Sequence, residues 1–530
     1  MIPMKRRSLF AAGAAALATP LAGPALAQSP SQRVLKFIPQ ADLASLDPIW
    51  TTAYVTRNHG YMVFDTLFGM DADLRPVPQM AEGAVSEADG RVWTIRLREG
   101  LTFHDGSPVL AKDCVASLKR WGKRDAFGAA LFAVTEELSA VDDRTLRFRL
   151  KTAFPLLPYA LGKAPSLMPA IMPERLALTD AFTQVTEMVG SGPFRFKADE
   201  RVPGARVVYE KFAEYKPRED GKPGWTGGPK VVHFDRVEWN VVPDAATAAG
   251  ALRSGEADWW EYPLHDLLPM LKRGRDVKVE ITDPTGMIPT MRFNTTTTPF
   301  DNAAIRRALL GAVVQKDYME AQVGNMPDMY RTGVGVFCPG TPMASDAGME
   351  VLNGPRDLAA VKRAIEAAGY KGEKVVLLAG TDVPNVKNAC DVAADMMQKA
   401  GLNVDYQALD WGTVIQRRGN RESTDKGGWS AYCSSWGGMD HLDPAGHLLL
   451  RGNASFFGWP KSDRLEELRN QWFAAPDLAA QQKVAADIQR QAFVDVPYLP
   501  FGQYIQPTAF RSSLTGVLPG FATFWNVKRA

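Results

Sequence analysis

Lys374-Val375-Val376-Leu377-Leu378-Ala379-Gly380-Thr381-Asp382 opens the stretch from which the fold is read. Residues 374–379 form an apolar run of strand length, and residues 385–400 then place apolar side chains at helical spacing until Gly401 stops them. Residues 402–409 read as a second strand, 412–418 as a helix and 429–436 as a third strand. Strands alternating with helices specify an α/β fold with a parallel sheet. In such sheets ligands collect in the crevice beyond the strand carboxyl ends. Those ends are Gly380-Thr381-Asp382, Asp410-Trp411 and residues 436–443, the last unusually rich in Trp, Asp and Gly.

Outward from this unit, Asp301-Asn302 caps a helix through Ile305 and Leu309, and Asp357 starts another that ends at Gly369. The first half is different. Residues 93–98 and 146–150 alternate apolar and polar side chains, the pattern of half-buried strands, and residues 111–121 read as a helix. Residues 206–209 and 237–242 are further strands. The tail carries a helix over 479–494 and then Tyr498-Leu499-Pro500-Phe501. A strand so late most simply returns to the first half. Two connections between lobes are therefore expected, near residues 291–294 and 497–501, and two adjacent crossings are what a hinge needs.

The N-terminus sets the compartment. Lys5-Arg6-Arg7 precedes an Ala-rich uncharged segment, and Ala25-Leu26-Ala27 is a small-residue cleavage site before Gln28. This is the pattern of a secretory signal, residues 1–27, cleaved after Ala27. The paired arginines with Ser8-Leu9-Phe10 resemble the twin-arginine type. Cleavage removes three of 61 basic residues and leaves 58 against 59 acidic ones, so the mature chain is close to neutral. No basic stripe suggests nucleic acid. After Gln28 no run of 18 apolar residues suggests a membrane span. The mature protein is expected free in the periplasm, as a monomer.

About 500 mature residues exceed what one core supports, so two or more lobes are expected. Of the four cysteines, Cys338 and Cys433 lie in Gly- and Ser-rich, loop-like sequence and are the candidate disulfide pair. Four separate buried thiols are the other reading. No C-x-x-C spacing suggests zinc. His441 and His447 share no helix face and read as solvated or hydrogen-bonded rather than as ligands. No metal and no cofactor is expected.

Several segments, collinear and spanning nearly all of the mature chain, together resemble family 5 of the extracellular solute-binding proteins, the dipeptide/oligopeptide-binding group. They are residues 80–90, Trp93 onward through Phe103-His104-Asp105-Gly106, Gly190-Ser191-Gly192-Pro193-Phe194, Phe293-Asn294 with residues 299–309, and Asp495-Val496-Pro497-Tyr498-Leu499-Pro500. The resemblance implies a two-lobe periplasmic binding protein fold with an extra subdomain in the first lobe. It implies hinge closure on a ligand and docking on the transmembrane subunits of an ABC permease. Lobe I is then expected over 28–291 and 499–530, with the subdomain at roughly 65–185, and lobe II over 292–498.

It also implies site residues. Asp440, three before Asp443-Pro444, stands where peptide-binding members place the aspartate that takes the ligand ammonium, although Trp436 is one residue further from that Asp-Pro than in those proteins. Asp440 in a turn is the competing reading. Trp411 resembles a cleft-lining tryptophan. Arg417 and Arg418 fall where different members place an arginine near the ligand carboxylate, and a solvated helix-end arginine is the plainer reading. Thr52 and Tyr54 lie in a segment resembling the first-lobe backbone that runs along the ligand. Trp436 is a candidate aromatic wall. A peptide or peptide-like solute is the leading ligand. An opine, a sugar, a glutathione-like compound or a nickel chelate is the alternative, because specificity lives in the pocket rather than the fold. No nucleophile–base motif supports an enzyme, and a permease-independent chaperone or sensor is the remaining rival.

Overall fold

The computed structural model describes residues 33–530, so the expected signal peptide lies outside the described residues. Two seven-stranded sheets organise the chain. The first runs in the order Val277–Glu280, Thr508–Arg511, Trp259–Trp260, Val34–Ile38, Arg236–Asn240, Arg206–Lys211, Phe194–Phe196. Val34–Ile38 sits at its centre, parallel to both neighbours, with Phe37 opposite Trp239 on one side and Trp259 on the other. Those aromatics enclose a core with Phe524, whose ring centroid lies 4.9 Å from that of Phe37. Each such pair adds about 0.5–1.5 kcal/mol beyond its buried area, which explains why the C-terminal segment folds back here.

The second sheet contains the α/β unit. Lys374–Gly380 is parallel to Asn403–Leu409 and to Ala431–Gly437, with Pro384–Lys399 and Trp411–Arg417 as the connecting helices. Asn302 and Asp357 cap their helices, as their positions in the sequence predict, accepting from Ala304 N and Ala360 N. The sheet is mixed rather than purely parallel. Met287–Phe293 runs antiparallel to Ala431–Gly437 over all seven residues, and Tyr498–Pro500 pairs with its other edge.

That pairing moves the hinge. The expected boundaries at 291/292 and 498/499 fall inside strands of the second sheet. The chain leaves the first sheet after Glu280 and enters the second at Met287, and it returns between Tyr504 and Thr508. The two crossings are therefore 281–286 and 505–507. Met287–Phe293 is buried at every position, so its polar Thr290 and Arg292 do not mark a solvent face as they would in a half-exposed strand.

A four-stranded antiparallel sheet, Ala81–Glu87, Val92–Leu97, Thr145–Leu150 and Thr135–Ala140, forms a separate layer within the first lobe. The Gly190-Ser191-Gly192 turn is pinned to the loop that follows Val92–Leu97. His104 N donates to Gly190 O at 2.8 Å, and His104 Nε2 lies 3.0 Å from Gly192 O. A Cβ on Gly190 would stand 2.1 Å from Val63 O, so only glycine permits this backbone approach.

The Cys338–Cys433 pairing is not formed: both are free and buried. Cys433 lies opposite Met291, whereas Cys338 packs with Ile288 and Val334. Ile288 and Met291 are three residues apart on one strand, and side chains three apart point to opposite faces. The two thiols are thus separated by the sheet. Cys433 instead neighbours Cys390.

Candidate functional site

Between the lobes lies a cavity of ≈ 640 Å³, within the range of small-molecule sites. Trp50, Thr51, Thr52, Arg124 and Phe182 line it from the first lobe, and Ile415, Arg418, Arg451, Phe456 and Phe457 from the second. Thr52 is held at the wall because its carbonyl accepts from Ser166 Oγ at 2.9 Å. Arg124, just after the helix Ala111–Gly122, donates to the carbonyls of Ile49 and Trp50 at 3.3 and 3.0 Å. Its guanidinium stands 5.1 Å from the Trp50 ring centroid and 5.0 Å from that of Phe182.

The opposite wall depends on a buried arginine. Arg292, on Met287–Phe293, donates Nε to Phe457 O at 2.8 Å and Nη1 to Leu449 O at 2.7 Å and Pro497 O at 3.3 Å. Burial lowers its pKa to about 10, so it stays charged at neutral pH with carbonyl dipoles as its solvation. It fixes the loop that carries Arg451, Phe456 and Phe457.

A smaller cavity adjoins, lined by Phe127, Tyr159, Lys163, Asp440 and Asp443 among others. The Lys163–Asp125 ion pair, 2.5 Å, separates the two, since Asp125 faces the larger and Lys163 the smaller. Two hydrogen bonds cross between the lobes here. Tyr54 OH donates to Asp440 Oδ2 at 2.5 Å while accepting from Gly437 N, and Tyr159 OH donates to Asp443 Oδ2 at 2.6 Å. Burial pushes the Asp440 and Asp443 carboxyls up. The tyrosine hydrogen bonds and the nearby cations, Lys163 for both and also Arg57 for Asp440, act in the other direction. Burial, reinforced by Asp440, raises Tyr54 far more, so it remains the donor.

The structure thus brings Thr52 and Arg418 together at the large cavity and Tyr54 and Asp440 beside it. Arg417 turns away: it donates to Gln407 Oε1 at 2.7 Å and Gly427 O at 3.2 Å. Trp411 lies over Gly380, where an added Cβ would meet its ring at 2.9 Å, and does not reach the cavity wall. Trp436 is buried, donating to Ser434 Oγ at 2.8 Å, and its ring is 6.0 Å from that of Phe456, one layer behind the wall. Of the two readings for His441 and His447, solvated or hydrogen-bonded, neither residue is solvated, and His447 Nε2 lies 2.8 Å from Val336 O. Their buried rings stack with centroids 4.1 Å apart, and burial lowers the His441 pKa to about 3, keeping it neutral. Arg124, Arg451 and the Phe456-Phe457 pair were not singled out from sequence. Only the adjacent aromatics between Asn453 and Gly458 carried a local signal, two large apolar rings in a turn-rich loop.

Two lobes joined by paired crossings around a cleft of this size make a hinged solute-capturing protein. Residues 75–455 match the family model described as bacterial extracellular solute-binding proteins, family 5 middle. A probable peptide ABC transporter periplasmic-binding protein y4tO of Sinorhizobium fredii is 34% identical over 99% of this chain and 100% of its own length. Among solved structures, the dipeptide-binding protein of Pseudoalteromonas sp. SM9913 in complex with Met-Leu superposes with a TM-score of 0.78, at 20% identity, covering 94% of this chain and 100% of that one. The binding protein AgaA with agropinic acid, from A. tumefaciens R10, gives 0.78 at 22% identity, covering 94% and 99%. The chain belongs to family 5 of the bacterial extracellular solute-binding proteins.

Proposed function

We propose that this chain is the exported capture subunit of an ABC importer, that it closes on a peptide or peptide-like solute and that it delivers it to the permease subunits without catalysing a reaction. On this reading the signal is cleaved after Ala27 and the mature monomer works in the periplasm. The moving bodies are residues 33–280 with 508–530, and residues 287–504. The observation that carries the reading is the inter-lobe cleft itself, with Thr51 and Thr52 on one wall and Arg418 on the other. An extended peptide offers backbone groups to the first and a terminal carboxylate to the second. The full-length relative named for peptide transport supports peptides over the other solute classes. Asp440 is the acceptor for the ligand ammonium, reached when the Tyr54 hydroxyl turns aside.

Calorimetric titration of the mature protein, stripped of copurified solute, tests this with acidic, neutral and basic tripeptides and their N-acetyl forms. Free peptides are expected to bind, with acetylation weakening them about tenfold or more, the worth of one charge-assisted contact. Heat from an opine, a sugar or a nickel chelate with none from any peptide would overturn the peptide assignment.

A further inference from the structure

The larger cavity is lined by four cationic side chains, Lys123, Arg124, Arg418 and Arg451, and by one carboxylate, Asp125. The charge of Asp125 acts on Arg451, but both its oxygens are engaged elsewhere. Its Oδ1 accepts the amides of Phe127 and Gly128 at a helix start, and its Oδ2 is taken by Lys163. Glu466, whose charge acts on Arg451, is engaged through both oxygens by Arg469 at 3.0 Å. Among the described residues, none of the four lining cations forms an ion pair of its own with a carboxylate, and the Nε atoms of Arg418 and Arg451 are buried without a hydrogen-bond partner. Aromatic rings brace two of the arginines without discharging them: Arg124 stands between Trp50 and Phe182, and Arg418 lies 4.3 Å over Phe457.

We propose that this cleft selects a ligand carrying at least two negative charges, an acidic short peptide or peptide-like polycarboxylate, bridging Lys123 and Arg124 of one lobe to Arg418 and Arg451 of the other. The class rests on the peptide-capture reading above. The charge selectivity rests on the cluster alone. Empty, like charges on facing walls oppose closure. A polyanion reverses the sign of that interaction, and the desolvated cleft strengthens it, so binding and closing are coupled through differential affinity for the closed state. Guanidiniums with unfilled donors favour planar carboxylates, which accept two at once.

The test titrates triglutamate, trialanine, trilysine and citrate into the mature protein at low and high salt. Triglutamate is expected to bind at least about tenfold tighter than trialanine, each unmatched cation-to-carboxylate contact being worth about 10- to 100-fold. Salt should shrink that advantage. Arg451→Gln should bring the triglutamate-to-trialanine ratio down toward one, and Arg418→Gln serves the same purpose if the first variant folds poorly. Equal affinities for the three peptides, or a preference for trilysine, would overturn the charge selectivity while leaving peptide capture standing. Citrate binding with no peptide binding would uphold the anionic cleft and remove the peptide reading. No binding of any of the four would overturn both.

Discussion

Asp440→Ala is expected to weaken tripeptides with a free amino terminus by about 10- to 100-fold and to leave their N-acetyl analogues unchanged. The factor is that of losing one buried charge-assisted hydrogen bond. Asp440 accepts from one side chain, Tyr54, across the lobe boundary. An ammonium that replaces that hydroxyl gains a carboxylate whose burial strengthens the pairing. The fold should tolerate the change, since Tyr54 retains its bond from Gly437 N. Tyr54→Phe separates the roles. If Asp440 receives the ligand, removing the competing hydroxyl leaves affinity equal or raised. If the pair is only an inter-lobe latch, both variants alter closure and neither distinguishes free from acetylated peptides. Calorimetry on the two variants with the paired peptides reads this directly.

Arg292→Leu is expected to cost about 3 kcal/mol or more, because it strips donors from the buried carbonyls of Leu449 and Pro497 and from the half-buried carbonyl of Phe457, and each unsatisfied buried group costs about 1–3 kcal/mol. The loss reaches the site as well. Loop 448–457 carries Arg451, Phe456 and Phe457, and without its anchor the wall loses the preorganisation that lowers the cost of binding. Denaturant unfolding with peptide titration on the same variant checks both effects. A stability change within about 0.5 kcal/mol, the range of ordinary surface substitutions, with unaltered affinity would show that Arg292 supports nothing.

The elements of the second lobe were legible because period and caps agree. Lys374–Gly380, Pro384–Lys399 and Asn403–Leu409 lie within two residues of the boundaries their patterns predict. The hinge was not, because every side chain of Met287–Phe293 is buried, Thr290 and Arg292 included, and a buried Pro, Thr and Arg among apolar residues do not read as an interior strand. The cysteine pairing failed for a related reason, since loop-like composition says nothing about which face of a sheet a thiol meets. At the site, Thr52 and Arg418 line the cavity between the lobes. Arg417 does not, because successive residues at a helix end point about 100° apart and only one of the two can face the cleft. Arg124 and Arg451 carry no local signature at all. They are 327 positions apart in the chain, and only the packing of one lobe against the other puts them on the wall of one cavity.

The central claim is capture by closure, and small-angle X-ray scattering of the mature protein tests it most directly. The radius of gyration would be compared without ligand and with a saturating tripeptide chosen by calorimetry. A smaller radius is expected with peptide, saturating at the calorimetric stoichiometry of one. Calorimetric binding with an unchanged radius, or no tripeptide that binds at all, would contradict it.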